Sequence, residues 1–143
     1  MVAIKPPESD SLVISEEHWT LMYSDVSTRF PEEACGLLGG VGCHVAVVFP
    51  ITNILHSPVR YRMAPDEQLS SFSQLDQQGY ELLAIYHSHP TGPDVPSPTD
   101  IAEAYYPDVV QLIWYKAHTE WLCKAYKIHN ERIIPVALKV LKS

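Results

Sequence analysis

Apolar residues follow two different repeats along the chain, and these repeats predict where helices and strands lie. Between Ser15 and Pro31 apolar side chains recur every three or four residues, which is the repeat of an amphipathic helix. A second helix is predicted from Pro65, which suits a first helical turn, to Gly79, which suits a C-terminal stop. A third, short helix is predicted over residues 98–105.

Short apolar runs between these helices predict strands, because they are shorter than a packed helix and far shorter than the roughly 20 residues of a membrane span. The run at 82–86 is apolar throughout, as in a central strand that is covered on both faces. The predicted strands cover residues 12–14, 34–39, 45–49, 51–55, 59–63, 82–86, 109–115, 121–128 and 132–140, the last of them short with a frayed end.

This order of elements predicts a single α/β domain over residues 1–143, with a loose N-terminal tail at 1–10. A mixed β-sheet flanked by helices, in a three-layer or barrel-like arrangement, fits the order. A Rossmann fold does not fit it, because no Gly-x-Gly-x-x-Gly follows a strand.

Composition excludes several classes of protein. With 46% hydrophobic and 19% charged residues the chain is globular and not disordered. The net charge of −7, without a basic cluster, argues against a nucleic-acid partner. We expect no membrane segment or signal peptide, and the odd set of three cysteines indicates a reducing, cytoplasmic location. The oligomeric state stays open between a monomer and a homodimer.

Two histidines at the end of the central strand are the first candidate for chemistry. His87 and His89 are separated by one residue, so both imidazoles can face the same point. The following loop is short enough for Asp100 to return to that point as an oxygen ligand. Three protein ligands leave the fourth position of a tetrahedral Zn²⁺ for water, which is the pattern of catalytic zinc sites; structural sites use four protein ligands.

Each part of this pattern also has an interpretation without a metal. A pair of histidines is often a surface or hydrogen-bonding feature. Ser97 and Asp100 can form a capping box, which only starts a helix. The two interpretations differ in where the Asp100 carboxylate points. Asp94, in the same loop, is a competing oxygen ligand.

The combination resembles the signature of the JAMM (MPN-plus) metalloproteases: His87-x-His89, then after seven residues Ser97, and after two more Asp100. All these positions are filled without substitution. The likeness extends over about residues 15–115.

An upstream segment strengthens the resemblance. Residues 31–40, Pro-Glu-Glu-Ala-Cys-Gly-Leu-Leu-Gly-Gly, are similar to the stretch that carries the catalytic glutamate of this family. The family position lies two residues before Cys-Gly, which selects Glu33 over Glu32.

The resemblance implies an MPN fold, which is JAB1/MPN-like and cytidine-deaminase-like, and a zinc ion held by His87, His89 and Asp100. It implies that Glu33 is the general base, which takes a proton from the attacking water and passes it to the leaving amine. Ser97 would donate a hydrogen bond to the developing oxyanion.

The resemblance also implies the substrate class. Members of the family cleave a peptide or isopeptide bond after the C-terminal Gly-Gly of ubiquitin or a ubiquitin-like protein. The compact form is similar to prokaryotic peptidases that process sulfur-carrier proteins, and the 43 residues after Asp100 leave little room for a separate ubiquitin-binding module. A sulfur-carrier protein is therefore the expected partner.

Other functions fit less well. A deubiquitinase-like isopeptidase remains an alternative. A non-catalytic scaffold of the same fold typically lacks ligands that this chain keeps. Zinc deaminases need His-x-Glu together with Pro-Cys-x-x-Cys, and the chain contains no Pro-Cys-x-x-Cys. The DNA-repair-associated relatives carry an N-terminal region that this sequence does not show.

Several neighbouring residues have simpler expected roles. Ser88 faces away from the histidines and is expected to be structural. Cys35 is expected to be a small buried hydrophobe and not a nucleophile. Residues 61–63 are assigned equally to a substrate groove or to packing. The remaining histidines lack ligand spacing; they are His18, His44, His56, His118 and His129.

Overall fold

The computed structural model describes residues 11–142, so the expected tail at 1–10 lies outside the described part of the chain. The strands are β1 (Ser11–Ser15), β2 (Cys35–Val41), β3 (His44–Ile51), β4 (Glu81–His89), β5 (Val110–Ala117), β6 (Glu120–His129) and β7 (Arg132–Leu141). The helices are α1 (Glu16–Arg29), α2 (Pro65–Gln78) and α3 (Pro98–Ala102). None of these helices is long and apolar enough to cross a membrane.

The strands close into a barrel in the order β1-β3-β2-β4-β5-β6-β7. β1 runs parallel to β3 and β7, and β4 runs parallel to β5, whereas the other neighbours are antiparallel. The seam between β1 and β7 extends from Ser11 opposite Ala137 to Ser15 opposite Leu141. The prediction of a mixed, barrel-like sheet is confirmed.

Helix α1 contributes its apolar face to the main core. Ser15 starts the helix as predicted, because its hydroxyl accepts a hydrogen bond from the backbone N–H of His18 at 3.1 Å. The ring of Trp19 lies 4.7 Å from that of Trp114, which is fully buried on β5. The core around it includes Leu12, Ile14, Met22, Val26, Leu38, Ala84, Tyr86, Leu112, Trp121, Ala125 and Val136.

Helix α2 covers the opposite face of β2. It begins at Pro65 and ends before Gly79, whose φ of 71° is the left-handed conformation that glycine adopts freely. A second cluster lies beneath it, formed by Cys35, Leu37, Ile51, Met63 and Ala64. β2 is therefore buried on both faces. This packing holds the N-terminal end of β2, at Cys35, in a fixed position close to Glu33.

Three sequence predictions about these elements were wrong. Residues 51–55 and 59–63 do not form two strands: β3 ends at Ile51, and beyond it only a single bridge joins Asn53 to Met63. The predicted stop of α1 at Pro31 is confirmed: the helix ends at Arg29, because Phe30 precedes the proline and this position disfavours helical geometry.

The other two corrections concern the C-terminal half. α3 ends at Ala102 and not at residue 105. The helix buries no side chain, so no packing stabilises a longer helix. β7 is not a short, frayed strand: its ten residues run from Arg132 to Leu141, because it pairs with β6 on one side and β1 on the other.

Candidate metal centre

The two histidines of the central strand lie at its C-terminal end and face the same side. β4 is paired on both sides, with His87 opposite Cys35 of β2 and opposite Ile113 of β5. Only 1% of His87 and 5% of His89 is exposed. The rigid sheet therefore fixes both imidazoles.

Asp100 returns to these histidines from the first turn of α3. The hydroxyl of Ser97 accepts from the backbone N–H of Asp100 at 3.0 Å, and Oδ2 of Asp100 accepts from the backbone N–H of Ser97 at 2.8 Å. This is the capping box that the sequence suggested. The same Oδ2 atom lies 3.1 Å from Nε2 of both histidines. The capping and ligand interpretations of Asp100 are thus compatible.

The three potential ligand atoms form a nearly equilateral triangle. Nε2 of His87 and Nε2 of His89 are 3.0 Å apart, and both lie 3.1 Å from Asp100 Oδ2. Zinc bonds of about 2.0–2.1 Å to nitrogen and oxygen require ligand atoms only slightly farther apart in a tetrahedron. Two imidazoles and one carboxylate fit a zinc ion in chemistry and in spacing, and within residues 11–142 no other such group of histidine, cysteine and acidic side chains occurs.

The rings are oriented by contacts on their far sides. Nδ1 of His89 lies 2.7 Å from the Pro93 carbonyl oxygen and donates to it, so Nε2 faces the cluster, where it donates to Asp100 when protonated and offers a lone pair to a metal when not. His87 stacks on Tyr61, with ring centroids 4.9 Å apart. Its Nδ1 is buried and has no hydrogen-bond partner among the described residues, so stacking holds this ring.

The electrostatics of the cluster favour an ionised carboxylate. Burial alone would raise the pKa of Asp100, but the hydrogen bonds from both histidines and from the Ser97 N–H hold that pKa well below its usual range. Burial alone would lower the pKa of His89, but its contacts with Asp100 and the Pro93 carbonyl raise it. A negatively charged ligand is therefore present at neutral pH.

Glu33 lies immediately before β2, next to the histidine cluster. Its backbone N–H donates to the Ser57 carbonyl at 2.8 Å, and it is only 4% exposed. Burial raises the pKa of Glu33 to about 8; the charge of His89 opposes this rise and that of Asp100 adds to it. Glu32, by contrast, points outward and lies 2.9 Å from the exposed ring of His56. The structure thus gives the two neighbouring glutamates different environments.

Ser88, between the histidines, faces the other side of β4. It is fully buried, and its hydroxyl accepts from the backbone N–H of Ala34 at 2.7 Å. Asp94 is not near the cluster, because it pairs with Lys124. These contacts leave Asp100 as the carboxylate that meets the histidines.

A cavity of about 290 Å³ opens beside Asp100. Tyr61, Arg62 and Met63 line it, and Met63 also belongs to the second cluster, so the packing role is confirmed for Met63 and the substrate-groove assignment stays a prediction. Its remaining lining is Leu55, Arg60, Gln68, Ile85, Glu103, Tyr105, Tyr106 and Gln111. Gln111 and the two tyrosines were missed from the sequence, where their strand and loop positions carry no motif.

Comparison with protein families finds a match over most of the chain. Residues 15–129 match the model of prokaryotic homologs of the JAB domain.

Several curated proteins are similar in sequence. A "probable TtuB-protein conjugate cleaving protease" of Thermus thermophilus is 45% identical over 75 residues, 52% of this chain and 50% of that protein. A desampylase of Pyrococcus furiosus is 34% identical over 93 residues, 65% of this chain and 66% of the relative. A CysO-cysteine peptidase of Mycobacterium bovis is 33% identical over 99 residues, 68% of each chain. The aligned region spans about half to two thirds of the length of these relatives.

Solved structures share the fold. A solution structure of a protein from Desulfitobacterium hafniense has a TM-score of 0.82 and 28% identity, over 92% of this chain and 94% of that one. A structure described as a JAMM metalloprotease-like zinc site in the proteasome and signalosome has a TM-score of 0.59 and 16% identity, over 92% and 98%. At the second identity the likeness establishes the fold alone.

Proposed function

The chain belongs to the prokaryotic homologs of the JAB domain, and from that premise we propose that it is a zinc-dependent peptidase acting on a ubiquitin-like protein. We propose that it hydrolyses the peptide or isopeptide bond that follows a C-terminal Gly-Gly, with a sulfur-carrier protein in the cytoplasm as the natural substrate. The observation that carries the proposal is the convergence of His87, His89 and Asp100 on one point beside the buried Glu33.

In this proposal His87, His89 and Asp100 hold the metal. A zinc ion held there supplies a water of lowered pKa, about 7, and polarises the scissile carbonyl. The orientation of His89 by Pro93, and of Asp100 by Ser97, prepares the ligand atoms in advance.

Glu33 acts as the general base. Its carboxylate takes a proton from the attacking water and then delivers it to the leaving amine, so that one carboxyl serves both half-steps. The pKa of Glu33 is raised to about 8 without a metal, and the positive charge of a bound zinc ion would lower it toward the neutral range in which a carboxyl both accepts and releases a proton.

Ser97 stabilises the charge that develops on the carbonyl oxygen. Its hydroxyl oxygen already accepts from the Asp100 N–H, which leaves the hydroxyl proton free for an oxyanion. Such donors contribute roughly 3–4 kcal/mol in other hydrolases.

The cavity beside Asp100 supports a narrow substrate tail. β4 and β5 each have a strand partner on both sides, which favours a substrate tail that lies in the cavity over one that adds a strand to the sheet. About 290 Å³, bounded by Tyr61 and Ile85, takes only a few small residues. Glycines pass where a Cβ would collide, which favours Gly-Gly next to the scissile bond.

The relatives support the substrate class. Their names are a probable TtuB-protein conjugate cleaving protease, a desampylase and a CysO-cysteine peptidase. We take from these names the expectation of a small protein substrate.

The test uses a ubiquitin-fold carrier protein extended by several residues beyond its Gly-Gly. Incubation with the zinc-loaded protein should release the extension, read by mass spectrometry, and a chelator should stop the reaction. Replacing the last glycine of the carrier by valine should abolish cleavage, whereas changes beyond the scissile bond should matter little. Activity restricted to unfolded peptides without glycine would refute the substrate class.

A further inference from the structure

Asn53 is a buried polar residue that the catalytic scheme does not use. Only 2% of it is exposed. Its Nδ2 donates to the carbonyl oxygens of Glu33 at 3.1 Å and Arg60 at 3.0 Å, with that of Ser57 at 3.5 Å. Its side-chain oxygen accepts from two backbone N–H groups on the opposite side of the amide, so both donors and both lone pairs of the amide are used.

The acceptor side of the amide binds the same loop. Asn53 Oδ1 accepts from the backbone N–H of Leu55 and of Arg62, each at 3.1 Å. These bonds add to two backbone bonds across the same stretch, from the Ile54 N–H to the Arg62 carbonyl and from the Ala64 N–H to the Thr52 carbonyl. Leu55 and Arg62 both line the cavity beside Asp100, so one side chain shapes a wall of that cavity.

The backbone N–H and the backbone carbonyl of Glu33 both form hydrogen bonds with this loop. Its carbonyl accepts from Asn53, and its N–H donates to Ser57. On the other side, Ala34 exchanges two bonds with Ser88: the Ala34 N–H donates to the hydroxyl, and the Ser88 N–H donates to the Ala34 carbonyl at 3.0 Å. Glu33 is therefore held between the histidine strand and the loop that Asn53 organises.

We propose that Asn53 is a positioning residue that holds the general base Glu33 and the cavity wall at residues 54–62 in one fixed arrangement. The proposal rests on the proposed peptidase function for its kinetic consequence, but the structural consequence is independent of that function. A displacement of about 1 Å in a catalytic group can cost up to 100-fold in rate, so loss of this amide should lower kcat strongly.

Two substitutions test the proposal. Asn53→Asp keeps an acceptor for Leu55 and Arg62 but cannot donate to Glu33, and Asn53→Ala removes both functions. Asn53→Ser, which is smaller and uncharged, replaces either variant if it does not fold. The matched control is Ser57→Ala, in the same loop, since within residues 11–142 the Ser57 hydroxyl bonds only the Val59 N–H, and its loss leaves the Glu33 contacts in place.

The expected kinetic result is a fall in kcat of about 10- to 100-fold per folded, zinc-loaded molecule, with a smaller change in KM and unchanged zinc content. The control should stay within about twofold of the wild type. A merely structural role would instead lower the melting temperature and leave kcat of the folded molecules unchanged, and that result would overturn the proposal.

Hydrogen exchange gives a readout that does not need a substrate. The Glu33 N–H bonds Ser57 and not Asn53, so it reports whether the loop still holds the general base. Its exchange should become at least about tenfold faster in the Asn53 variants and not in Ser57→Ala. Unchanged exchange at Glu33 would refute the positioning role. If the wild type cleaves no ubiquitin-fold substrate, the proposed function fails, while this exchange measurement still decides the role of Asn53.

Discussion

Ser97 and Asp100 bind each other through both backbone N–H groups, with the Ser97 N–H 2.8 Å from Asp100 Oδ2 and the Asp100 N–H 3.0 Å from the Ser97 hydroxyl. The oxygen that caps the helix is also the one that faces the two histidines. A substitution at Asp100 therefore removes a helix cap and a proposed ligand together, whereas one at Ser97 removes the side-chain cap and the proposed oxyanion donor but leaves the three ligand side chains in place.

Asp100→Ala should lose zinc, because two imidazoles alone do not form a tight site, and it should remain folded on its apolar core. Ser97→Ala is the matched control: it should keep zinc and lose about 1 kcal/mol of stability with its cap. Elemental analysis and thermal melting measure both effects. Full zinc occupancy in Asp100→Ala would show that Asp100 is only a cap.

Glu33→Gln should keep zinc and fold but lose about 10²- to 10⁴-fold in turnover, since an amide cannot accept the proton of water. Glu32→Gln is the control for charge and position. Its side chain meets only the exposed His56 ring, so turnover should stay within about twofold. Carrier-cleavage rates distinguish the two, and inactivity of Glu32→Gln would mean that the general base had been assigned to the wrong glutamate.

The raised pKa of Glu33 predicts a pH-dependent stability after zinc has been removed by a chelator. Its pKa is near 4.5 when unfolded and about 8 in the fold. Between these values the folded state holds a proton that the unfolded state has lost, so the free energy of unfolding falls as pH rises, by at most about 1.4 kcal/mol per pH unit. Glu33→Gln has no group that must hold a proton at this position. Its free energy of unfolding should therefore rise relative to that of the wild type as the pH increases from 5 to 8.

Denaturant titrations of the zinc-free wild type, Glu33→Gln and Glu32→Gln measure this difference. The raised pKa of His89 also makes the fold more stable at lower pH. All three proteins keep that residue, so differences in stability between them report mainly on the glutamates. Glu32→Gln should follow the wild type. A gap between Glu33→Gln and the wild type that stays constant with pH would contradict the prediction.

Tyr126→Phe should weaken zinc binding from outside the cluster. The Tyr126 hydroxyl donates to the Asp94 carbonyl at 2.8 Å, and the preceding residue, Pro93, supplies the carbonyl that orients His89. Outer contacts of this kind typically change metal affinity by about 10- to 100-fold, and the lower end is expected here because the effect passes through the loop. Competition with a fluorescent chelator measures it.

The control for that experiment is Tyr115→Phe, on the neighbouring strand β5. Tyr115 contacts the Lys124 ammonium through its ring, and phenylalanine keeps that ring. Its zinc affinity should equal that of the wild type. An equal loss in both variants would show that the Asp94 hydrogen bond is not the cause.

The parts of the fold that depend on local pattern were predictable from the sequence. Ser15, Pro65 and Gly79 mark helix ends through contacts within a few residues, and the structure uses them as predicted. The pairing of β1 with β7 was not predictable, because the alternation of apolar residues shows which face of a strand is buried but not which distant strand lies beside it.

The stretch 51–63 was misassigned for a related reason. Its apolar residues have the composition of strands, yet three of its backbone groups, the Arg60 carbonyl and the N–H groups of Leu55 and Arg62, bond one asparagine side chain. Asn53 carried no motif, and an isolated asparagine in an apolar run is the one signal that could have drawn attention to it. The proposed ligands, by contrast, follow a spaced motif. This motif predicted that His87, His89 and Asp100 lie close together, as they do in the structure.

The seam between β1 and β7 also affects how the protein is made. β1 leaves the ribosome before every other described strand. The strand with which it pairs over most residues, β7, is the last described strand to be synthesised. Until β7 emerges, the sheet has two open edges, and open edges bind other chains. A fusion or truncation that withholds residues 132–141 should therefore cause aggregation during expression, although every residue of the proposed zinc site has already been synthesised by then.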